Sequence, residues 1–246
     1  VPGPCDNAFR RGLGVHDGQL IFSFAGVIGL SQDLDTVIDA AGLLRDVPDA
    51  LFYIVGDGIE KQRLVEKAKD LPNVRFLPML PIQEYVQLLI AAGADLIAVL
   101  EPTAVMLSPG QFADFSSRYV RHLTESFRFS GVDFVYHTCG NTMHLVGNMV
   151  RAGVCGVSLD SRDAGVDLAA AAREVPPDVV VIGNINPAAT MLSGTPQVIR
   201  REVENLLAEM APFPNFVLST GCDLPQETPP QNIQVFMDAG REWRRR

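Results

Sequence analysis

Residues 133–160 read DFVYHTCGNTMHLVGNMVRAGVCGVSLD. A β-branched and aromatic run at 133–137 and a second apolar run at 154–159 flank a stretch of helical character that carries His144. A strand, a helix and a strand at this spacing make a βαβ unit, whose strands run parallel. Outward from it the same alternation recurs, with further candidate strands at 20–25, 51–55, 74–77, 95–100, 179–183 and 215–219. Between them apolar residues fall at helical spacing, as in Leu34, Val37, Ile38, Ala41 and Leu44, or Val198, Val203, Leu206 and Leu207. Helix-entry chemistry agrees: Asp57-Gly58 opens a helix over 59–70, Ser108-Pro109 opens the next long one, and Thr195-Pro196 another. The expectation is α/β with eight alternating βα units and parallel strands, either doubly wound or closed into a barrel.

The 246 residues, 47% hydrophobic and 20% charged, suit a globular protein with ample core, as one α/β barrel or two small domains. With 20 basic and 29 acidic side chains the net charge is −9, and the only basic run is Arg244-Arg245-Arg246. Binding to nucleic acid is not expected, since phosphates need a clustered basic surface. No apolar run approaches the ~18 residues of a membrane span, so no membrane association is expected either. The chain opens Val1-Pro2-Gly3-Pro4, with neither a signal-peptide pattern nor an initiator Met, which reads as a fragment or a processed chain. Cys5, Cys139, Cys155 and Cys222 are too few for a disulfide scaffold and fit a reducing compartment, with cytoplasmic as the default location.

One shift crosses the chain. All three lysines (Lys61, Lys67, Lys69) precede residue 70, although charge is similarly balanced on both sides of residue 85. Two segments are expected, 1–85 and 86–246. Over residues 1–82 the first resembles the C-terminal GT-B domain of family 4 glycosyltransferases. The resemblance is carried by Asp6-Asn7-Ala8-Phe9-Arg10, Phe24-Ala25-Gly26-Val27, the helix from Leu34 to Ala41, Ile54-Val55-Gly56-Asp57-Gly58 and Asn73-Val74-Arg75-Phe76-Leu77-Pro78. It implies a Rossmann-like N-terminal three units and makes Gly56 and Asp57 candidates for nucleotide-sugar binding. Amides of that turn either face an anion or base, or the glycines only permit the turn. Departures weaken the transferase reading: the loop Gly29-Leu30-Ser31-Gln32 carries no base, and the family's later acidic motif has no counterpart. A non-catalytic nucleotide-sugar-binding remnant is the alternative function.

The second segment, 86–246, resembles the C-terminal part of the uroporphyrinogen decarboxylase superfamily, in its corrinoid- and coenzyme M-dependent methyltransferase branch. The matches run in order through Ala92-Gly93-Ala94-Asp95, Glu101-Pro102-Thr103-Ala104, Leu107-Ser108-Pro109, His137-Thr138-Cys139-Gly140-Asn141, Ser158-Leu159-Asp160, Gly183-Asn184-Ile185-Asn186-Pro187, Gly194-Thr195-Pro196, Gly221-Cys222-Asp223-Leu224-Pro225 and Thr228-Pro229. This resemblance implies that the C-terminal five units form part of a TIM-type (β/α)8 barrel. The seam lies near Pro81-Ile82-Gln83-Glu84-Tyr85. Three units and five could close one hybrid ring, or leave a small doubly wound layer beside an open half-barrel.

His137 and Cys139, two apart at a strand end, share a face, and Cys222 follows the last strand. One imidazole and two thiolates suit Zn2+ with a fourth position open to substrate. A closed ring is expected to bring the three together, and an open sheet to leave Cys222 too far away. The resemblance implies a zinc-dependent methyltransferase-like activity, in which a small coenzyme M-like thiol held by zinc takes a methyl group from the corrinoid of a partner protein. As a hybrid, the chain is open to being inactive. Glu101 is read as a fourth ligand, a general base or a solvated loop carboxylate. Asp160 and Asn184 either face the pocket, as catalytic and cofactor-binding groups, or cap the following helices. Cys155 reads as a small buried hydrophobe, while Cys5, His16, His122 and His144 lie at no ligand spacing.

Overall fold

A computed structural model describes residues 18–91 and 94–243, so Cys5, His16, Asp6–Arg10, Ala92, Gly93 and the terminal arginines lie outside the described residues. The chain divides into two compact units, one ending at Ala94 and the other starting at Asp95. Eight strands stand where the apolar runs place them: β1 Leu20–Val27, β2 Ala50–Asp57, β3 Val74–Leu77, β4 Leu96–Leu100, β5 Asp133–Thr138, β6 Gly156–Leu159, β7 Val180–Ile185 and β8 Phe216–Thr220. Among the described residues they form two parallel sheets, ordered β1-β2-β3 and β4-β5-β6-β7-β8, so the ladders do not close one eight-strand ring. No helix of the described residues is long and apolar enough to cross a membrane.

In the first unit, β2 is the central strand, and Phe52, Tyr53, Ile54 and Val55 are all buried, the near-continuous apolar run of a strand covered on both faces. Helix α1 (Leu34–Leu43) turns Leu34, Ile38 and Ala41 inward, and α2 (Lys61–Lys67) adds Leu64. Ile28, Leu34, Ile38, Ile54, Leu64 and Ala68 make the core on that side. Helix α2 is shorter than the expected 59–70. Before it, Asp57 Oδ1 takes the Gly58 N–H at 2.8 Å, and Lys61 reaches back to the Gly56 carbonyl at 2.7 Å. Helix α3 (Ile82–Ala91) follows β3.

In the second unit, helices follow the strands in turn: α4 (Pro109–Phe112) runs through a π-helical turn (Ala113–Ser117) into α5 (Arg118–Phe127), then α6 (Val146–Arg151), α7 (Leu168–Glu174), α8 (Pro196–Met210) and α9 (Pro230–Glu242). Ser108 caps α4 with a reciprocal bond from Gln111, and Thr195 caps α8. Phe134, Tyr136, Val157, Leu159, Val181 and Ile185 alternate along their strands and are buried. The other face carries, in register, His137, Ser158, Ile182 and Val217. Met149 of α6, fully buried, packs in this core, and Met149→Ala should cost about 2–5 kcal/mol, seen as a lowered urea midpoint at unchanged slope.

Candidate metal centre

Three side chains converge beyond the carboxyl ends of β5 and β8. His137 Nε2 lies 3.4 Å from Cys139 Sγ and 3.8 Å from Cys222 Sγ, and the two sulfurs are 3.5 Å apart. All three donor atoms lie within 4.8 Å of one another. Tetrahedral zinc, with bonds of ~2.0–2.1 Å to nitrogen and ~2.3 Å to sulfur, needs donor edges of about 3.6 Å for N–S and about 3.8 Å for S–S. The triangle therefore matches three corners of such a site within a few tenths of an ångström. Two strands separate β5 from β8, which at ~4.8 Å per strand puts them about 14 Å apart in a flat sheet. The 3.5 Å between the sulfurs shows that the five-stranded sheet and its loops close that distance. The expectation that Cys222 stays out of reach without a closed ring is thus overturned.

His137 is buried, and its Nδ1 lies 3.2 Å from the Ser158 carbonyl oxygen and 3.1 Å from Ser158 Oγ. A carbonyl can only accept, so Nδ1 carries the hydrogen and Nε2 presents its lone pair toward the thiols. Burial, together with the Cys222 thiol and the carboxylates of Asp160 and Asp223, pushes the Cys139 thiol up to about 12. In the metal-free protein that sulfur therefore keeps its proton at neutral pH. A thiolate there needs a cation, which is the chemistry this donor set supplies for zinc.

Around the triangle, Asp160 accepts the Gly140 N–H at Oδ2 (2.7 Å) and the Ser161 N–H at Oδ1 (2.6 Å). Asn184 lies inside β7 and donates to the backbone carbonyls of Asp160 (2.9 Å) and Val166 (3.4 Å). Neither caps a helix: Asp167 caps α7, and Asn186 takes the N–H groups of Ala188 and Ala189. Glu101, after β4, stands outside the donor triangle. Its Oε2 accepts from Ser116 Oγ at 3.2 Å, and Ser116 in turn bonds the hydroxyl of Tyr136, itself raised to about 12 mainly by burial. Cys155 lies one residue before β6 and is part-buried. Gly56 and Asp57 belong to the other unit, where Asp57 occupies the Gly58 amide, so that N–H is not open to an anion.

Sequence reasoning gave Ser158 no part in orienting His137. The signal was its place directly opposite His137 in the β5–β6 register. The Ser116–Tyr136 pair behind Glu101 was also missed, because Ser116 comes from a π-helical turn that residue spacing does not reveal.

A five-stranded parallel α/β unit with a His-Cys-Cys cluster at its strand ends defines the class. The sequence profile of the uroporphyrinogen decarboxylase (URO-D) family matches residues 81–243, and the chain belongs to that family. It is 30% identical over 162 residues to the methylcobamide:CoM methyltransferase MtbA of Methanosarcina mazei, covering 65% of this chain and 45% of that protein. To the uroporphyrinogen decarboxylase of Psychromonas ingrahamii it is 31% identical over 163 residues, covering 65% of this chain and 44% of that enzyme. The chain thus spans somewhat less than half the length of these curated relatives. Among solved structures it resembles a methyltransferase from Methanosarcina mazei, with a TM-score of 0.57 at 22% identity, over 85% of this chain and 64% of that one, a likeness of fold. These comparisons do not support the glycosyltransferase resemblance of residues 1–82, since the matched family covers 81–243.

Proposed function

We propose that the chain is a zinc-dependent, methyltransferase-like member of the uroporphyrinogen decarboxylase superfamily, which passes a methyl group from a partner's methyl-corrinoid to a small coenzyme M-like thiol. The observation that carries this reading is the convergence of His137 Nε2, Cys139 Sγ and Cys222 Sγ, three donors with one tetrahedral corner left over. Identity to a methylcobamide:CoM methyltransferase (30%) and to a uroporphyrinogen decarboxylase (31%) is equal, so the donor triangle is what favours the methyltransferase branch.

Zinc, when bound, would lower the pKa of an incoming thiol and favour the nucleophilic thiolate. The chain's own residues do the rest. His137, fixed by Ser158, would offer its Nε2 lone pair to the ion, and Cys139 and Cys222 would hold it as thiolates. Glu101, outside the donor triangle and bonded by Ser116, is the candidate general base for the substrate thiol. Asn184 has its amide committed to backbone carbonyls, so its part is to hold the strand-end loops.

Zinc-loaded protein mixed with free methylcobalamin and 2-mercaptoethanesulfonate should demethylate the cobalamin, followed by its absorbance change. Cys222→Ser should abolish the reaction. A rate no faster than the protein-free control, at full zinc occupancy, would refute the catalytic reading.

A further inference from the structure

The two thiols come from loops separated by 83 residues, yet stand 3.5 Å apart. The contacts of both loops lead to the turn after β6. Asp160 Oδ2 binds the amide of Gly140, the residue following Cys139. On the other side Gly221, the residue preceding Cys222, lies flat against the same turn. A Cβ there would sit 2.3 Å from Ser161 N and 2.8 Å from Asp160 C, backbone atoms that cannot swing aside. The turn is itself braced: Asn184 donates to the Asp160 carbonyl, Asp160 Oδ1 closes on Ser161 N, and Gly221 N bonds the Ile185 carbonyl at 2.8 Å. Each cysteine is therefore tied, through its glycine neighbour, to one two-residue platform.

We infer that the Asp160–Ser161 turn is a positioning platform that sets the Cys139–Cys222 separation in advance of any metal, with Asp160 acting through Gly140 and not as a ligand or base. The inference rests on the metal reading only for its consequence for zinc. Both carboxylate oxygens of Asp160 already accept backbone N–H groups, and Asp160 is not among the clustered donors. Its charge is also a poor account of metal affinity. Zn2+ with two thiolates and a neutral imidazole carries no net charge, and neither do two thiols with the same imidazole, so a nearby carboxylate senses little difference. Geometry is what the platform contributes.

Three variants separate position from charge. Asp160→Asn keeps the shape but turns an NH2 toward an N–H donor, Asp160→Glu keeps the charge but moves it one methylene out, and Gly221→Ala wedges the second loop off the platform. Asp163→Asn, in the same loop but bonded to the Asn186 side chain, is the control. The first readout needs no metal: phenylarsine oxide bridges two thiols only when they are close, releasing water as two S–As bonds form. Its affinity for the metal-free protein should fall about tenfold or more in all three variants and hold in the control. The second is zinc affinity by chelator competition, expected to weaken about 10–100-fold, with a changed cobalt(II) ligand-field spectrum. A variant that does not fold by far-UV circular dichroism is judged by the other two. Arsenical capture unchanged in the folded variants overturns the platform, whatever zinc does. Altered capture in a parent protein that takes up no zinc leaves the platform standing and removes the metal reading instead.

Discussion

After dialysis against zinc and then buffer, the purified protein should retain about one equivalent of metal, and His137→Ala or Cys222→Ser should retain less than about 0.2 equivalents. The size of the drop follows from the donor count. Structural zinc sites bind with ~10–16 kcal/mol near neutral pH from four ligands, so loss of one of three protein donors removes on the order of 3 kcal/mol, over a hundredfold in affinity. The alanine at 137 also frees the Ser158 carbonyl that fixes the imidazole. Affinity should rise with pH. The Cys139 thiol, raised to about 12 by burial and by its sulfur and carboxylate neighbours, is protonated in the metal-free state throughout the accessible range. Zinc must displace that proton, so each unit of pH lost should weaken binding about tenfold from this sulfur alone. A pH-independent affinity, or full occupancy in Cys222→Ser, would show that metal binds elsewhere.

Much of this was legible in the residues. Every strand was, because Val, Ile, Phe and Tyr cluster in short runs between helical periodicities, and the caps at Ser108 and Thr195 were equally plain. The three metal donors were legible as residue types in order along the chain. Their meeting was tied to a closed ring, with an open sheet expected to leave Cys222 too far away, because how closely a five-stranded sheet brings the ends of β5 and β8 together does not show in sequence spacing. Asp160 and Asn184 read as pocket groups or helix caps, but Asp160 binds the Gly140 amide 20 residues back, and Asn184 the carbonyls of Asp160 and Val166, 24 and 18 residues back, which no local pattern encodes. Helix capping was the alternative to a pocket role because Asp and Asn near strand ends commonly serve that way. Here Asp167 and Asn186, a few residues on, take those duties and release the earlier pair for loop bracing.

Gly56→Ala should destabilise the first unit by about 3–5 kcal/mol, the second large effect. Gly56 stands at φ 144°, a conformation that side-chain-bearing residues rarely adopt. An added Cβ would come within 1.9 Å of the Gly26 carbonyl oxygen, its partner across the β1–β2 ladder. Relief requires the end of β1 to peel from β2. That end carries the bond from Ile28 N to the Asp57 carbonyl (2.8 Å), the bond from Glu60 N to the Ile28 carbonyl (3.1 Å), and Ile28 itself, fully buried with Ile54 and Leu64. Against a domain's usual ~5–15 kcal/mol, such a loss removes much of the unit's stability. Gly42→Ala is the matched control. It lies in α1, where the new methyl would meet Leu71 at an ordinary 4.0 Å, and exchanging glycine for alanine in a helix should add about 0.5–1 kcal/mol. Urea titrations followed by circular dichroism should therefore move in opposite directions for the two substitutions. A Gly56→Ala midpoint equal to the parent's would mean that the two glycines do not hold β1 and β2 in contact. Zinc content should be unchanged in both variants, since the three donors lie at 137, 139 and 222, in the other unit.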